Sequence, residues 1–490
     1  MPDCLHPVVR YRLRRGAPLC RKFQDSRLFG LLLVLIGVLW LNGCTTTSAT
    51  PVTLHAENPL TLAGQNLLVV IVATSTPISN TLPVDRQLQA RLATIQSDQL
   101  LFIVDALSAM GTRHVLSSGF DPAQGIGIGA ARNFLLDQFR SLPAALPLSI
   151  WTQPVGVRIN GVTTLSDNVI AVVQGTDLNA GVVVVGAHYD SINASDSQSA
   201  DLAAPGADDN GSGVAALLEL ARLIALTPLR ATVIFVAFTA EETGRQGSSA
   251  FIRSYLQAQT PPIVPRAMLN LDTLGADSLS SGAPQTFATD TDDPAHALPG
   301  SLRVFSADPN DSPSRQLARQ IELSAAPYPA LPRVIVQSSA ERIGRFGDQQ
   351  PFSATGIAAV HLIEGVEDPT RQRSATDTGD AIQPAYLIGA TGVAFVALLS
   401  LADGLAPPQS VQWQAADHAL CWSPVPAAAG YVITVRHNDS ASIEQMIVSG
   451  TAPIFQWDGL AHYDFAAVAA FDQSGRIGSL APEVHLSAPF

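Results

Sequence analysis

The sequence has few charged residues and almost no lysine. Charged residues make up 14% of the 490 residues, and Lys22 is the only lysine. Acidic residues outnumber basic ones and give a formal net charge of −13, which argues against nucleic acid or an anionic membrane surface as the main partner. A hydrophobic content of 47% excludes a disordered chain, and the length predicts two or three structural units.

Residues 1–44 have the pattern of a targeting signal. Seven basic residues from Arg10 to Arg27 precede the apolar run 28–41, which is shorter than the roughly 20 residues of a membrane-spanning helix. The run ends in Leu-Asn-Gly-Cys44, which resembles the lipobox of bacterial lipoproteins. We therefore expect Cys44 to carry a lipid and to begin the mature chain, anchored to a membrane on its extracytoplasmic side. An uncleaved anchor helix and a plain secretory signal are the alternatives.

Cysteine is scarce, and its positions exclude an intrachain disulfide in the mature protein. Cys4 and Cys20 are removed with the predicted signal, Cys44 is the predicted lipidation site, and only Cys421 remains. One thiol cannot pair within the chain even on the oxidising side of a membrane.

The segment that follows the signal, residues 45–82, is predicted to be a tether and lead-in, with the apolar run 66–73 as a buried strand. Helical spacing begins near residue 83 and extends to about 110. Beyond it, β-branched apolar runs alternate with helix-like stretches: strands are predicted at 182–185, 232–238 and 267–271, and helices at 214–226 and 248–257. This alternation predicts an α/β domain at 83–404, with a mixed, mostly parallel sheet flanked by helices.

Residues 405–490 lack a long helical pattern and show short alternating apolar runs separated by turns. Segments 420–426 and 430–436 are predicted to be adjacent strands of a small all-β sandwich. The region resembles a fibronectin type III domain, with Trp422 as its core tryptophan and Tyr463 on the tyrosine-bearing strand. Its binding partner is not indicated by the sequence.

Metal-binding residue types follow each predicted strand of the α/β domain. They are His188 and Asp190 after the first strand, Asp209 in the turn 206–213, Glu241 and Glu242 after the second strand, and Asp272 after the third. The carboxyl ends of parallel strands meet at one edge of a sheet, and zinc binds imidazole nitrogen and carboxylate oxygen. Each feature alone is more often a satisfied polar residue or a helix cap, but the ordered combination predicts a zinc site.

This combination resembles the co-catalytic zinc aminopeptidase family, over residues from about 110 to 401. The resemblance implies a zinc exopeptidase-like fold and a first zinc bound by His188, Asp209 and Asp272. Asp209 would bridge to a second zinc held by Glu242. Asp190 would orient the imidazole of His188.

The implied reaction is zinc-dependent hydrolysis of a peptide or protein substrate, most simply with release of an N-terminal amino acid. The resemblance makes Glu241 the general base that takes a proton from the zinc-activated water. One Zn²⁺ is expected, and two are compatible with the residues present.

The sequence departs from the family at two positions. The family has a histidine ligand of the second zinc four residues before an Asp-Thr pair, and Arg373 stands there, before Asp377. A guanidinium stays protonated and offers no lone pair to a metal. Gln349 replaces a second histidine that the family commonly places before a Pro-Phe pair.

Three interpretations follow from Arg373. In the first, only the first zinc is bound, and Arg373 places a positive charge at the second metal position by pairing with Glu242. In the second, His361 serves as a replacement ligand, although its position after an apolar run also suits a core histidine. In the third, the site is inactive and the chain is a surface lipoprotein that acts as a binding module.

Retention of Glu241 favours an enzyme over a binding module, because an inactive domain has no chemical need for a general base. Acyl transfer of the glutaminyl-cyclase type is less favoured, because the resemblance implies that it uses the metal position that has lost its histidine.

Overall fold

The computed structural model describes residues 61–62, 65–66, 79–143, 145, 148–277, 300–342 and 345–486. The chain divides into two compact units, residues 1–72 and 73–490. In the first unit, the described residues form an antiparallel pair, β1 (Thr61–Leu62) and β2 (Gln65–Asn66). Cys44, the predicted signal and most of the predicted strand 66–73 lie outside the described residues, so these expectations stay predictions.

The second unit contains a large sheet whose strands are interleaved with helices. The strands of this sheet are β3 (Leu148–Ile159), β4 (Val162–Val173), β5 (Val182–His188), β6 (Thr232–Phe238), β7 (Ala267–Leu271), β8 (Ser301–Ser306), β9 (Arg333–Val336) and β10 (Ala359–Glu364). Their order is β3-β4-β6-β5-β7-β10-β8-β9. The four central strands β6, β5, β7 and β10 are mutually parallel, whereas β4 and β8 pair antiparallel with this centre.

The helices cover both faces of the sheet. They are α1 (Arg86–Leu92), α2 (Ser97–Ser108), α3 (Gly127–Ser141), α4 (Gly213–Ala225), α5 (Gln246–Phe251), α6 (Pro313–Ala325), α7 (Gln349–Ala354) and α8 (Pro384–Asp403). Successive side chains of a strand point to opposite faces. Accordingly, Val183 and Val185 pack in the core that contains α2, α4 and α8, while Val184 packs with Phe251 of α5 and Phe352 of α7.

The predicted fold class, a mostly parallel mixed sheet flanked by helices and followed by a small all-β region, is confirmed. The strands predicted at 232–238 and 267–271 have the predicted bounds. The strand predicted at 182–185 is longer and extends to His188. The helical stretch 83–110 is two helices, α1 and α2. Helix α8 is the one helix in the described ranges that is long and apolar enough to cross a membrane, and 89% of its apolar window is buried inside the domain.

The C-terminal region forms two antiparallel sheets. Its strands are β11 (Gln412–Gln414), β12 (Ala419–Cys421), β13 (Gly430–Arg436), β14 (Gln445–Ser449), β15 (Ile454–Gln456), β16 (Phe465–Phe471), β17 (Ile477–Leu480) and β18 (Val484–His485). Strands β11, β12 and β15 form one sheet, and β14, β13, β16 and β17 form the other, in which β18 also pairs with β16. The predicted neighbours β12 and β13 therefore lie in different sheets.

Two aromatic residues singled out in the sequence take part in this region. Trp422 is buried and lies edge-on to Tyr431, with ring centroids 4.9 Å apart. Tyr463 donates its hydroxyl hydrogen to the Gln445 side chain over 3.0 Å. The likeness to fibronectin type III and the domain boundary at 404–405 stay predictions.

Candidate metal centre

The predicted site residues gather at the carboxyl edge of the parallel strands. His188 is the last residue of β5, and Asp272 directly follows β7. Strand β5 pairs in parallel with both β6 and β7, so the chain segments that leave these three strands start beside one another. Glu241 and Glu242 lie just beyond the end of β6 at Phe238. Sequence order and parallel pairing together create the site.

Asp209 reaches this edge through the turn that precedes α4. Gly206 opens the turn with φ of 54°, and a Cβ atom there would lie 2.7 Å from Arg113 Nη2 and from the Asp209 carbonyl. Only glycine fits such a position without strain. Arg113 is fully buried and donates from Nη2 to the Gly206 carbonyl over 2.8 Å. Asp377 accepts the N–H groups of Asp208 and Asp209 over 2.9 and 3.1 Å.

His188 presents a lone pair to the site. Its Nδ1 lies 3.1 Å from the main-chain oxygen of Asp190, and because a carbonyl oxygen only accepts, Nδ1 must carry the hydrogen. In the neutral imidazole Nε2 is then an acceptor. Nε2 is buried and forms no hydrogen bond within the described part of the chain, an arrangement that orients a histidine for metal binding.

Two carboxylates face this lone pair at metal-site spacing. His188 Nε2 lies 3.3 Å from Asp209 Oδ1 and 3.4 Å from Asp272 Oδ1. Zinc–donor bonds of about 2.0–2.1 Å place neighbouring tetrahedral donors about 3.3–3.4 Å apart. Two anionic oxygens and a lone pair repel one another unless a cation lies between them. The donor set therefore fits a zinc ion by both chemistry and spacing.

The electrostatics of the site favour positive charge at this point. Burial alone would lower the pKa of His188, but the carboxylates of Asp272 and Asp209 outweigh burial and raise it well above its ordinary value. Likewise, burial opposes the ionised form of Asp272, yet His188 and His361 hold its pKa well below the usual range. A proton occupies the place that a divalent cation would take, so metal binding and deprotonation of His188 are coupled.

The Asp190 carboxylate is placed differently from the role expected of it. It lies 3.7 Å from His188 Nδ1, and the hydrogen bond to the imidazole goes to its main-chain oxygen instead. Its two carboxylate oxygens accept the N–H groups of Glu241 and Glu242 over 3.1 and 3.2 Å. Asp190 thus fixes the turn that carries the two glutamates and supports His188 through the backbone.

Glu241 sits on a tight turn beside the donor set. Ala240 has φ of 58°, and the Glu241 carbonyl accepts the N–H of Gly244 over 2.9 Å. Glu241 is 4% exposed. Burial is the main reason that its pKa is raised well above the ordinary value, with the nearby Glu242 adding to the effect and His188 opposing it. A buried carboxyl of high pKa can hold a proton during a reaction.

The predicted site has two halves: the first contains His188, Asp209 and Asp272, and the second, at the position predicted for a second zinc, contains Glu242. In the second half, Glu242 forms an ion pair with Arg373. Arg373 Nε donates to Glu242 Oε1 over 3.0 Å, and Nη2 lies 2.8 Å from Glu242 Oε2. Nε also lies 3.4 Å from Asp209 Oδ2. A bidentate pair of this kind is the strongest geometry for arginine and a carboxylate. Donor atoms of His188, Asp209 and Glu242 all lie within 4.8 Å of one another, so the guanidinium borders a cluster that could otherwise hold a cation.

His361 lies on the other side of the site and is held by acids at both nitrogens. Nδ1 is 2.7 Å from Glu341 Oε2, and Nε2 is 3.4 Å from Asp272 Oδ2. Burial disfavours its charge, but Glu341 and Asp272 outweigh burial and raise its pKa to about 9. His361 therefore links Glu341 to the predicted ligand Asp272. Gln349 donates to the same Glu341 oxygen over 3.0 Å, so the residue that replaces the family's histidine supports this chain of contacts.

The sequence analysis did not single out three acids in or near the site. Glu341 contacts His361, which in turn lies beside the predicted ligand Asp272. Asp377 accepts the main-chain N–H of the predicted ligand Asp209. Asp348 is fully buried, and burial raises its pKa to about 7 although His188 opposes the shift. Asp377 could have been found from its Asp-Thr motif. Glu341 has no sequence signal of its own.

The fold and the donor set fit a zinc site, and comparison with known sequences shows the class of protein that contains it. Residues 168–396 match the family described as Peptidase family M28. A probable zinc metalloprotease from Pyricularia oryzae is 31% identical over 424 residues, which cover 79% of this chain and 82% of that protein. Another from Pyrenophora tritici-repentis is 31% identical over 351 residues, 67% of this chain and 79% of that protein. The chain belongs to peptidase family M28, which confirms the predicted zinc peptidase family.

Solved structures with a related fold include an aminopeptidase, LapA from Legionella pneumophila, at 20% identity with a TM-score of 0.48 over 66% of this chain and 77% of that chain. A glutaminyl cyclase from Porphyromonas gingivalis is 19% identical, with a TM-score of 0.47 over 62% of this chain and 98% of that chain.

Proposed function

We propose that this protein hydrolyses peptide bonds with a single zinc ion held by His188, Asp209 and Asp272. The observation that carries the proposal is the contrast between two neighbouring donor groups. The lone pair of His188 Nε2 faces two carboxylates at 3.3 and 3.4 Å with no hydrogen-bond partner in the described part of the chain. Glu242, by contrast, has both oxygens engaged by Arg373.

Zinc bound at such a site lowers the pKa of a water molecule and polarises a peptide carbonyl. In the proposed reaction, Glu241 accepts the proton of the attacking water and later gives it to the leaving amine. Asp190 fixes the main chain of Glu241 through the N–H bond of 3.1 Å. Arg373 holds Glu242 out of the reaction and contributes a fixed positive charge.

Removal of an N-terminal residue is the more specific expectation from the family resemblance. It requires a group that receives the α-amino end of the substrate, and Glu242 is not free for this role because it is paired with Arg373. An inactive binding module is the competing proposal. The retained Glu241, buried beside the donor set, supports an enzyme.

The test is hydrolysis of a panel of free and acylated aminoacyl-nitroanilides by the purified full-length protein, with zinc counted by mass spectrometry. We expect one zinc per chain and turnover that a chelator abolishes. Glu241→Gln should retain the zinc and lose about 10²–10⁴-fold in kcat. A folded protein that holds zinc but cleaves none of the substrates would favour the binding module, and two tightly held zincs would contradict the single-metal site.

For localisation, we propose a lipid-anchored protein on the extracytoplasmic side of a membrane. The Leu-Asn-Gly-Cys44 sequence after a short apolar run supports this. Metabolic labelling with palmitate should mark the protein and be lost in Cys44→Ala. Unlabelled wild-type protein would point instead to an anchor helix or a plain secretory signal.

A further inference from the structure

The solvent-facing group in the second half of the site is a cation. The Arg373 side chain is 26% exposed, whereas those of Glu242 and Asp209 are 2% and 3% exposed. The guanidinium therefore covers the two carboxylates. A substrate that enters this half of the site meets positive charge first.

Among the described residues, neither Glu242 nor Asp209 is free to receive a substrate ammonium group. Both oxygens of Glu242 contact Arg373, while Asp209 directs Oδ2 to Arg373 and Oδ1 to His188. Asp377, the next acid along, accepts two main-chain N–H groups and is 1% exposed. An ammonium ion placed beside these residues would face the like charge of Arg373, which opposes binding.

Arg373 is held rigidly and keeps hydrogen-bonding capacity. Its carbonyl accepts the N–H of Ala194 over 2.7 Å, and its backbone has φ of 54°, a conformation that costs energy in a residue other than glycine and recurs at functional sites. A guanidinium carries five N–H groups. The contacts to Glu242 and Asp209 use Nε and Nη2, and Nη1 has no hydrogen-bond partner among the described residues.

We propose that Arg373 determines the substrate class through the α-nitrogen of the residue whose carbonyl is attacked. Arg373 favours substrates in which this nitrogen is acylated and disfavours those in which it is a free ammonium group. The acyl carbonyl oxygen accepts a hydrogen bond from Nη1. This inference rests on the proposed peptidase function. In the hydrolysis itself, the amide C–N bond breaks, the hydroxyl of water joins the carbonyl carbon, and its proton goes to the leaving amine. An N-acylated amino acid and a residue within a peptide chain both have an acylated α-nitrogen, so both belong to this substrate class.

The first test compares kcat/KM of the full-length zinc-loaded protein for leucyl-nitroanilide, N-acetyl-leucyl-nitroanilide and a succinyl-tripeptidyl-nitroanilide, at about pH 6.5, where an α-amino group is mostly charged. We expect both acylated substrates to be preferred at least about tenfold. The ratio of kcat/KM between the two acylated substrates shows whether the protein prefers a blocked N-terminal residue or a bond further inside a peptide. Preference for leucyl-nitroanilide would overturn the inference while leaving the peptidase function intact.

Variants assign the preference to Arg373. Arg373→Gln removes the charge and should reduce the preference at least about tenfold. Arg371→Gln is the matched control, because its side chain has a similar exposure of 29% and pairs with Asp380 instead of a site residue. An unchanged preference in Arg373→Gln, or an equal loss in Arg371→Gln, would contradict the assignment.

A binding measurement separates this inference from catalysis. Leucinol and N-acetyl-leucinol have an alcohol carbon in place of the leucyl carbonyl that is attacked, and they differ in the acyl group on the nitrogen, so calorimetry on the zinc-loaded protein reports the preference directly. N-acetyl-leucinol should bind more tightly, and Arg373→Gln should remove the difference. If no nitroanilide is cleaved but this preference holds, the proposed function fails, while the preference of Arg373 for an acylated nitrogen is upheld as a binding property. Tighter binding of leucinol, or binding of neither compound, would overturn the inference.

Discussion

The two halves of the metal centre contain similar acids but are in opposite electrostatic states. In the first half, His188 Nε2 faces Asp209 Oδ1 and Asp272 Oδ1 at 3.3 and 3.4 Å, and no arginine of the described residues pairs with these two oxygens. In the second half, Glu242 is already neutralised by a bidentate arginine. Adjacent carboxylates in a shared pocket therefore need not share a function. The nearest fixed cation decides which of them is available to a metal.

The largest expected effect is on zinc affinity, which should depend on the first half of the site and not on the second. His188→Ala removes the imidazole that faces Asp209 and Asp272, and zinc affinity should fall by more than the roughly 10–100-fold that loss of an outer hydrogen-bond partner costs. Glu242→Gln should retain one zinc per chain. Metal analysis after dialysis measures both variants. Zinc loss in Glu242→Gln would show that the second half also binds metal.

Converting one half into the other is a second test. Arg373→His removes the cation and supplies a lone pair beside Glu242 and Asp209, so we expect two zincs per chain in place of one. Arg373→Gln is the control, since it removes the charge without adding an imidazole. A stoichiometry of one in Arg373→His would mean that the geometry of this half, and not its charge, excludes the metal.

A smaller effect concerns the support of the first half. His361 bridges Glu341 and Asp272, and His361→Asn should weaken zinc binding by about 10–100-fold. Competition with a chromophoric chelator measures the affinity. Circular dichroism checks that the fold is kept. An unchanged zinc affinity would show that His361 acts only as a core residue.

The smallest expected effect is on stability. Arg373→Met leaves the buried Glu242 carboxylate unpaired, which should lower the free energy of unfolding of the metal-free protein by about 1–3 kcal/mol, a value that allows for the partial exposure of the arginine. Urea titration measures it. The double variant Arg373→Met/Glu242→Gln should recover most of the loss, and failure to recover it would assign the effect to lost packing.

Much of this site could be predicted because its residues follow buried strands in order. His188 and Asp272 stand directly at strand ends, and the pairing of Arg373 with Glu242 followed from the missing histidine. His361 was harder to interpret, because its closeness to Asp272 depends on the parallel register that places it opposite Asn270. One sequence does not contain that register.

The sequence by itself determined the chemistry that is available: the family, the order of the strands and ligands, and the replacement of a metal-binding histidine by a permanent cation. The tertiary structure decided how that chemistry is distributed. It covered Glu242 with Arg373, left the His188 lone pair without a hydrogen-bond partner in the described residues, and turned the Asp190 carboxylate towards two main-chain amides. The physical reason is that residue types set charge and donor capacity, whereas burial and distances of a few ångströms decide which charges neutralise each other.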